Sequence, residues 1–162
     1  MTLDVDLGRS TYAVRDLAVL DDACRAAAAG LGLLTPDVVF HLCPAERIYD
    51  IAARGLPGRY GHWRFGRAYE QQKAAYDHGA SRIYELVLNT EPVQAYLLDG
   101  NSLAAQLLVI AHVYGHAHVF RANRWLASSD RRILGRVRAA AERIEGYARR
   151  EGRAVVEDFI DA

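Results

Sequence analysis

The segment from Leu103 to Trp125, LAAQLLVIAHVYGHAHVFRANRW, is predicted to form one long amphipathic helix around which the rest of the chain is organised. His112 and His116 lie four residues apart in this segment, so their side chains leave one face of the helix about 40° apart. The same face carries apolar side chains: Ala105, Leu108, Val109, Val119 and Phe120. Because an apolar stripe normally faces the core, we expect both imidazoles to point inward.

The spacing of His112 and His116 indicates a metal site. Two imidazoles on one helix face can bind the same ion, and we expect zinc first, with another divalent metal as the other option. Gly115 lies beside the second histidine. A glycine inside a helix lowers stability by about 1 kcal/mol relative to alanine, so its presence here indicates close approach by a backbone or a ligand. The alternative is two core histidines, each hydrogen-bonded to a nearby group.

Composition narrows the class of protein. The 162 residues are enough for one domain with a core, so we expect a single domain over residues 1–162. With 20 basic and 20 acidic residues the net charge is zero, and no nucleic-acid partner is expected from bulk charge. No uninterrupted apolar run approaches the roughly 20 residues of a membrane span. The start, MTLDVDLGRS, lacks the features of a secretory signal, so a cytoplasmic location is expected.

Hydrophobic patterning predicts an α+β fold. A small, mostly antiparallel sheet packs on the long central helix, with further helices around it in a zincin-like arrangement. The predicted strands are Asp37–Cys43, Arg82–Asn89 and Val93–Leu98, and the short TEP connection joins the last two in an antiparallel hairpin. The other predicted helices lie within 11–30 and over Ala45–Arg54, Arg67–Asp77, Asp130–Arg149 and Ala154–Asp161. Ser102 or Asn101 can cap the long helix.

Glu85 is the first candidate catalytic residue. On its strand it alternates with Ile83 and Val87 on one face, and the opposite face is also apolar. A carboxylate in these surroundings needs a partner, because an isolated buried charge is very costly. One interpretation is a salt bridge to one of the many arginines. The other is a metal ligand or a general base, and a place close to His112 and His116 would support it.

Glu157 is the predicted third metal ligand. HxxxH followed downstream by ExxxD resembles the zinc site of the gluzincin peptidases, in which two histidines and a later glutamate hold the metal. The resemblance implies that Asp161 orients one histidine. Those peptidases have HExxH, with the general base directly after the first histidine, but Val113 occupies that position here. Glu85 would then have to activate the water. A solvated helix residue is the alternative for Glu157.

Two further histidines are separate from the pair. His118 leaves the helix about 200° away from His116, which predicts a structural or exposed role. His62 lies in GLPGRYGHWRFGRAYE, interpreted as an ordered, aromatic-rich loop, where it either lines the site or packs against neighbouring rings.

Several longer motifs resemble the N-terminal part of the stage V sporulation protein R (SpoVR) family. They are GLPGRYGHWRFGRAYE, IYELVLNTEPVQAYLLDGNSLAAQLLVIAHVYGH and VFRAN, and VVEDFIDA resembles the family's VE-x-x-LD segment. The matching features span roughly Leu31 to Asp161. Within them Tyr84, Asn89 and Asn123 are expected to line the site, together with His62 and Asp161. The run HAHVFRAN departs from the family pattern at His118, Val119 and Ala122.

The resemblance implies a bacterial protein whose family name refers to sporulation, and a chain that is the N-terminal part of a longer family unit. It brings no settled activity. From the residues we expect a His/His/Glu metal site, with a zinc-dependent hydrolase or amidase as its enzymatic form. The alternative is a non-catalytic interaction or structural module, in sporulation or stress response, in which the same residues form a buried polar network. A di-iron carboxylate site is a weaker third option, since it needs more carboxylates. The substrate and the oligomeric state stay open.

Overall fold

A computed structural model describes residues 3–5, 12–78 and 85–162 of the chain. Helices and strands are both present, which confirms the α+β class. The elements in chain order are β1 (Leu3–Val5), α1 (Val14–Gly30), β2 (Val38–Cys43), α2 (Ala45–Arg54), α3 (Trp63–Asp77), β3 (Glu85–Leu88), β4 (Val93–Leu98), α4 (Leu103–Ala122), α5 (Ile133–Glu151) and α6 (Arg153–Asp161).

The residues group into two compact units. The first comprises Met1–Ile48 and Ile83–Arg131, and the second comprises Tyr49–Arg82 and Arg132–Ala162, so the division falls within α2. The expectation of a single domain over residues 1–162 stays a prediction.

The sheet of the first unit is mixed. Its strand order is β1-β2-β4-β3, with β2 parallel to both β1 and β4, and β3 antiparallel to β4. The hairpin prediction for β3 and β4 is therefore confirmed, whereas the prediction of a mostly antiparallel sheet is wrong. The connection from β2 to β4 is long enough for a crossover, which allows parallel pairing, and strand composition does not reveal that direction.

The core of the first unit lies between one face of this sheet and the helices α1 and α4. Alternate residues of β2 and β4 contribute to it because side chains of a strand point to opposite faces in turn. Its buried members are Leu17, Cys24, Ala28, Val38, Phe40, Leu42, Val93, Ala95, Leu97, Val109, Ile110, Val113, Tyr114 and Ala117.

The orientation of α4 differs from the prediction. Its buried face consists of Gln106, Val109, Ile110, Val113, Tyr114 and Ala117. Leu108 is 72% exposed, the His112 side chain is 60% exposed, and His116 is half-buried. The prediction that both imidazoles point inward is therefore wrong for His112, although Val109 of the same face is buried. Apolar residues surround most of this helix, so periodicity alone does not determine which apolar side the sheet and α1 cover.

Local hydrogen bonds set the two ends of α4. The Ser102 hydroxyl accepts a hydrogen bond from the Ala105 N–H at 3.2 Å, which confirms the predicted cap. The helix ends at Ala122 rather than Trp125. Asn123 adopts an extended conformation there, and its Oδ1 accepts a hydrogen bond from the Trp125 N–H at 2.9 Å. Asparagine commonly offers the backbone this alternative to helix.

By length and composition, α4 is long and apolar enough to cross a membrane. Core helices meet the same criteria, and α4 packs on the sheet and α1 through its buried face. The mean hydropathy of α4 is high in spite of its histidines and Gln106, although the helix contains no uninterrupted apolar run of that length.

The second unit is helical in its described part and has a smaller interior. The Tyr49 ring packs on Tyr76 with centroids 5.3 Å apart. Glu145 of α5 accepts a hydrogen bond from Arg153 of α6 at 3.1 Å. The helix predicted from Arg67 begins earlier, at Trp63, because His62 caps it: the His62 Nδ1 accepts from the Arg64 N–H at 3.2 Å.

Candidate functional site

Strand β3 places Glu85 on the side of the sheet that α4 covers. Glu85 pairs with Leu97 of β4, and Val87 pairs with Ala95. Directly paired residues share a face of the sheet, and Leu97 and Ala95 both belong to the core beneath α4. The Glu85 side chain is 21% exposed, so it lies at the edge of this core rather than within it.

Helix α4 presents His112 and His116 on consecutive turns beside this carboxylate. Their ring centroids are 4.6 Å apart and the rings are nearly perpendicular, at 89°. The His112 Nε2 lies 3.6 Å from the Glu85 Oε1. One ligand atom from each of Glu85, His112 and His116 can be chosen so that all three lie within 4.8 Å of one another. The structure therefore brings together the three groups that the sequence predicted to be neighbours.

The spacing of these three groups suits a small divalent cation. Bonds of about 2.0–2.2 Å in a tetrahedral zinc site place neighbouring ligand atoms roughly 3.3–3.6 Å apart. The 3.6 Å between His112 Nε2 and Glu85 Oε1 already has this value, and a ligand atom of His116 lies within 4.8 Å of both partners. Because His112 is largely exposed, such an ion would keep a side open to solvent.

An apolar groove adjoins the cluster. It has a volume of about 480 Å³ and is lined by Glu85, Ala105, Leu108, Val109 and His112. Volumes of about 300–1,000 Å³ are usual for small-molecule sites. Part of the predicted helix face thus lines an open groove at Ala105, Leu108 and His112, while Val109 of the same face also belongs to the core.

The other predicted site residues of the first unit have separate positions. His118 Nδ1 accepts a hydrogen bond from the Leu34 N–H at 3.0 Å, in agreement with the predicted structural role. Asn89 Nδ2 donates to the Leu126 carbonyl at 3.4 Å, and Asn123 ends α4. Their site-lining roles stay predictions, and Tyr84 lies outside the described residues.

Glu157 belongs to the second unit, where it is half-buried on α6. The cluster of described residues that could hold an ion contains Glu85 in the place that the sequence analysis gave to Glu157. The role of Glu157 as a metal ligand stays a prediction.

Asp161, the last residue of α6, contacts the first turn of α3 within the second unit. It accepts hydrogen bonds from Trp63 Nε1 at 2.7 Å and from Arg64 Nη2 at 2.6 Å. His62 Nε2 lies 3.5 Å from the Asp161 Oδ1, and the His62 side chain is only 2% exposed. Tyr60 and Phe65 pack against the same imidazole. Asp161 thus lies beside His62. Its predicted role in orienting a histidine of the metal site stays a prediction.

Sequence reasoning missed Trp63 and Arg64 as partners of Asp161. They lie 98 and 97 residues from Asp161 in sequence, so no local pattern indicates the contact. If the aromatic-rich segment is ordered, the side chains of His62, Trp63 and Phe65 need partners. This requirement is the signal that could have led to Asp161.

Replacing Asp161 with alanine is expected to make the start of α3 at Trp63 more mobile. The indole and guanidinium donors lose their shared acceptor, which should lower the free energy of unfolding of this unit by about 1 kcal/mol. In a Trp125→Phe background Trp63 is the remaining tryptophan, and its quenching by acrylamide should increase. Asp158→Ala, an exposed position on the same helix, should leave quenching unchanged. Equal quenching in both variants would contradict the role of Asp161.

Comparison with known proteins agrees with the motifs described above. The family model described as "SpoVR like protein" matches residues 11–162. The chain therefore belongs to the SpoVR family, and sporulation is implied by the family name. It is similar to "Uncharacterized protein YcgB" of Escherichia coli (strain K12), at 41% identity over 82 residues. This match covers 49% of the chain and 16% of YcgB, so the chain spans a small part of that relative's length. No solved structure matches the chain.

Proposed function

We propose that this SpoVR-family protein binds a divalent metal ion, zinc in the first instance, through His112, His116 and Glu85. The observation that carries the proposal is the approach of two imidazoles and one carboxylate to within 4.8 Å of one another on α4 and β3. Two histidines and a glutamate form a ligand set of catalytic zinc sites, which keep one position for water. The same donor types also suit iron(II), so metal analysis should include iron.

A metal-dependent hydrolase or amidase is the enzymatic form of this proposal. A zinc ion in such a site supplies Lewis-acid polarisation and a water with a lowered pKa. The protein contributes neutral imidazoles and one carboxylate, together with a groove that positions a substrate. The proposal includes a zincin-like arrangement, because a strand, a helix with the histidine pair and a later helix with acidic residues follow one another along the chain.

The position of Val113 explains why a general base would come from elsewhere. Val113 directly follows the first histidine, and its side chain is fully buried in the core under α4. In this orientation of the helix, a glutamate at the same position would point into the apolar core, where its charge would be very costly. Glu85 is therefore the group to test as the base.

Replacing Glu85 with alanine is expected to lower zinc affinity at least about tenfold, because the site loses its only anionic ligand among the three. Glu85→Gln should have a smaller effect in the same direction, since an amide oxygen is a weaker ligand. Chelator competition on untagged protein measures both. Glu142→Gln, on the exposed surface of α5, is the matched control.

Two other outcomes would reassign the carboxylates. Unchanged zinc affinity in Glu85→Gln with loss of hydrolysis would make Glu85 the general base. A loss of affinity in Glu157→Gln, with none in Glu85→Gln, would return the third ligand to Glu157.

The second candidate function is a non-catalytic interaction module. The exposed apolar residues on α4 favour it: Leu103, Leu107, Leu108 and Val119. In that case His112, His116 and Glu85 would form a polar network at the surface, since the His112 side chain is 60% exposed. Elemental analysis decides between the two functions: well under one equivalent of metal in untagged protein, with no gain on adding zinc or iron, would favour the interaction module.

A further inference from the structure

The groove beside Glu85 and His112 is mostly apolar, a property that metal binding alone does not require. Apart from those two residues, the described residues that line it are Ala105, Leu108 and Val109. Leu108 is 72% exposed, although a leucine gains free energy when its surface leaves water. The groove thus offers an apolar wall that starts directly at the ligand cluster.

From this juxtaposition we infer that the site takes a compound with an unbranched hydrocarbon chain attached to a metal-binding acyl group. The inference rests on the proposed metal site. An ion held by two neutral imidazoles and one carboxylate keeps a net positive charge and attracts an oxygen anion or a carbonyl oxygen. The chain of that acyl group would then lie along Leu108 and Val109.

The polarity of the lining favours a hydrocarbon chain over a peptide. Among the described residues that line the groove, the polar side chains are Glu85 and His112, and the metal site uses both. A peptide bound there would bring backbone N–H and C=O groups that need hydrogen-bond partners when they leave water. A hydrocarbon chain carries no such requirement.

Chain-length dependence of binding tests the inference. Acetohydroxamate and octanohydroxamate carry the same metal-binding group and differ in the hydrocarbon chain. Calorimetric titration of the zinc-loaded full chain should give octanohydroxamate at least about tenfold tighter binding, because each buried methylene adds affinity. N-acetyl-leucine hydroxamate, which has a branched apolar group and a peptide bond, should bind more weakly than octanohydroxamate.

Two variants locate the effect in the groove. Leu108→Ser should reduce the preference for the long chain to about threefold or less while leaving zinc affinity unchanged, since an exposed leucine contributes little to folding. Leu107→Ser is the matched control: Leu107 directly precedes Leu108 on the same helix, is 41% exposed and does not line the groove. Its preference should equal that of the unmodified protein.

Each result has one meaning. Zinc binding without chain-length preference overturns this inference and leaves the metal site intact. Tighter binding of N-acetyl-leucine hydroxamate overturns it in favour of a peptide ligand. The same preference in Leu108→Ser and Leu107→Ser places the chain elsewhere and also overturns it. Absence of zinc binding overturns the proposed function and this inference together.

Discussion

Replacing His116 with alanine is expected to reduce zinc affinity by at least about a hundredfold, and His112→Ala should have the same effect. The remaining imidazole and Glu85 would form a two-ligand site, which a surface groove does not stabilise. The two rings lie 4.6 Å apart on consecutive turns of one helix, so neither has a substitute nearby on its own element. The measurement is zinc per protein after dialysis, together with chelator competition, on protein purified without a histidine tag.

His118→Ala is the internal control for this experiment. Its imidazole leaves α4 on another face and accepts a hydrogen bond from the Leu34 N–H. Losing this contact should lower stability slightly while zinc affinity stays within about twofold of the unmodified protein. An equal loss of zinc in His118→Ala and His116→Ala would mean that the histidine pair is not the site.

The neighbourhood of Glu85 and the histidine pair could be predicted because both signals are local. Four residues on a helix and alternate residues on a strand fix which side chains share a face. The hairpin between β3 and β4 adds the register that places Glu85 above the core side of the sheet. The burial of the pair could not be predicted in the same way. It depends on which side of an almost wholly apolar helix the sheet covers, and this is decided by tertiary packing.

The elements of the fold and the β3–β4 hairpin were largely predictable, whereas the parallel pairing of β2 with β4 was not. Ala45–Arg54 and Val93–Leu98 agree with the structure to the residue, since clear turn signals bound both. The strand Leu3–Val5 is too short to show a periodic pattern. The parallel pairing of β2 with β4 joins residues far apart in sequence, and no local pattern encodes this direction. The link from Asp161 to Trp63 escaped prediction for the same reason.

A buried polar network between α1 and α4 carries the largest predicted effect on stability. Asp21 is 1% exposed and accepts a hydrogen bond from the Tyr114 hydroxyl. Arg25 Nε donates to the same hydroxyl oxygen at 3.1 Å, and Arg25 Nη2 lies 3.4 Å from the Asp21 carboxylate. The hydroxyl therefore joins a buried carboxylate to a guanidinium whose side chain is 38% exposed.

Tyr114→Phe should lower the free energy of unfolding by about 2 kcal/mol at neutral pH, since it leaves one oxygen of a buried carboxylate without its donor. Urea unfolding followed by circular dichroism measures the change. Tyr147→Phe is the matched control, because Tyr147 is 47% exposed on α5 and its loss of a hydroxyl should cost less than about 0.5 kcal/mol. A similar small cost in Tyr114→Phe would show that the network contributes little.

The pH dependence of the stability difference between the unmodified protein and Tyr114→Phe tests whether the buried hydroxyl is its cause. Burial, and then the hydrogen bond to Asp21, raise the pKa of Tyr114 above its ordinary value. The folded protein thus holds the phenolic proton more tightly than the unfolded chain, whose tyrosine pKa is about 10. The contribution of Tyr114 is fully present below that pH and declines as the pH rises towards the folded pKa. At about pH 11 the advantage of the unmodified protein over Tyr114→Phe should therefore shrink by about 1 kcal/mol. Other tyrosines titrate alike in both proteins and cancel from the difference, so an advantage that stays constant from neutral pH to pH 11 would contradict a buried, proton-holding Tyr114.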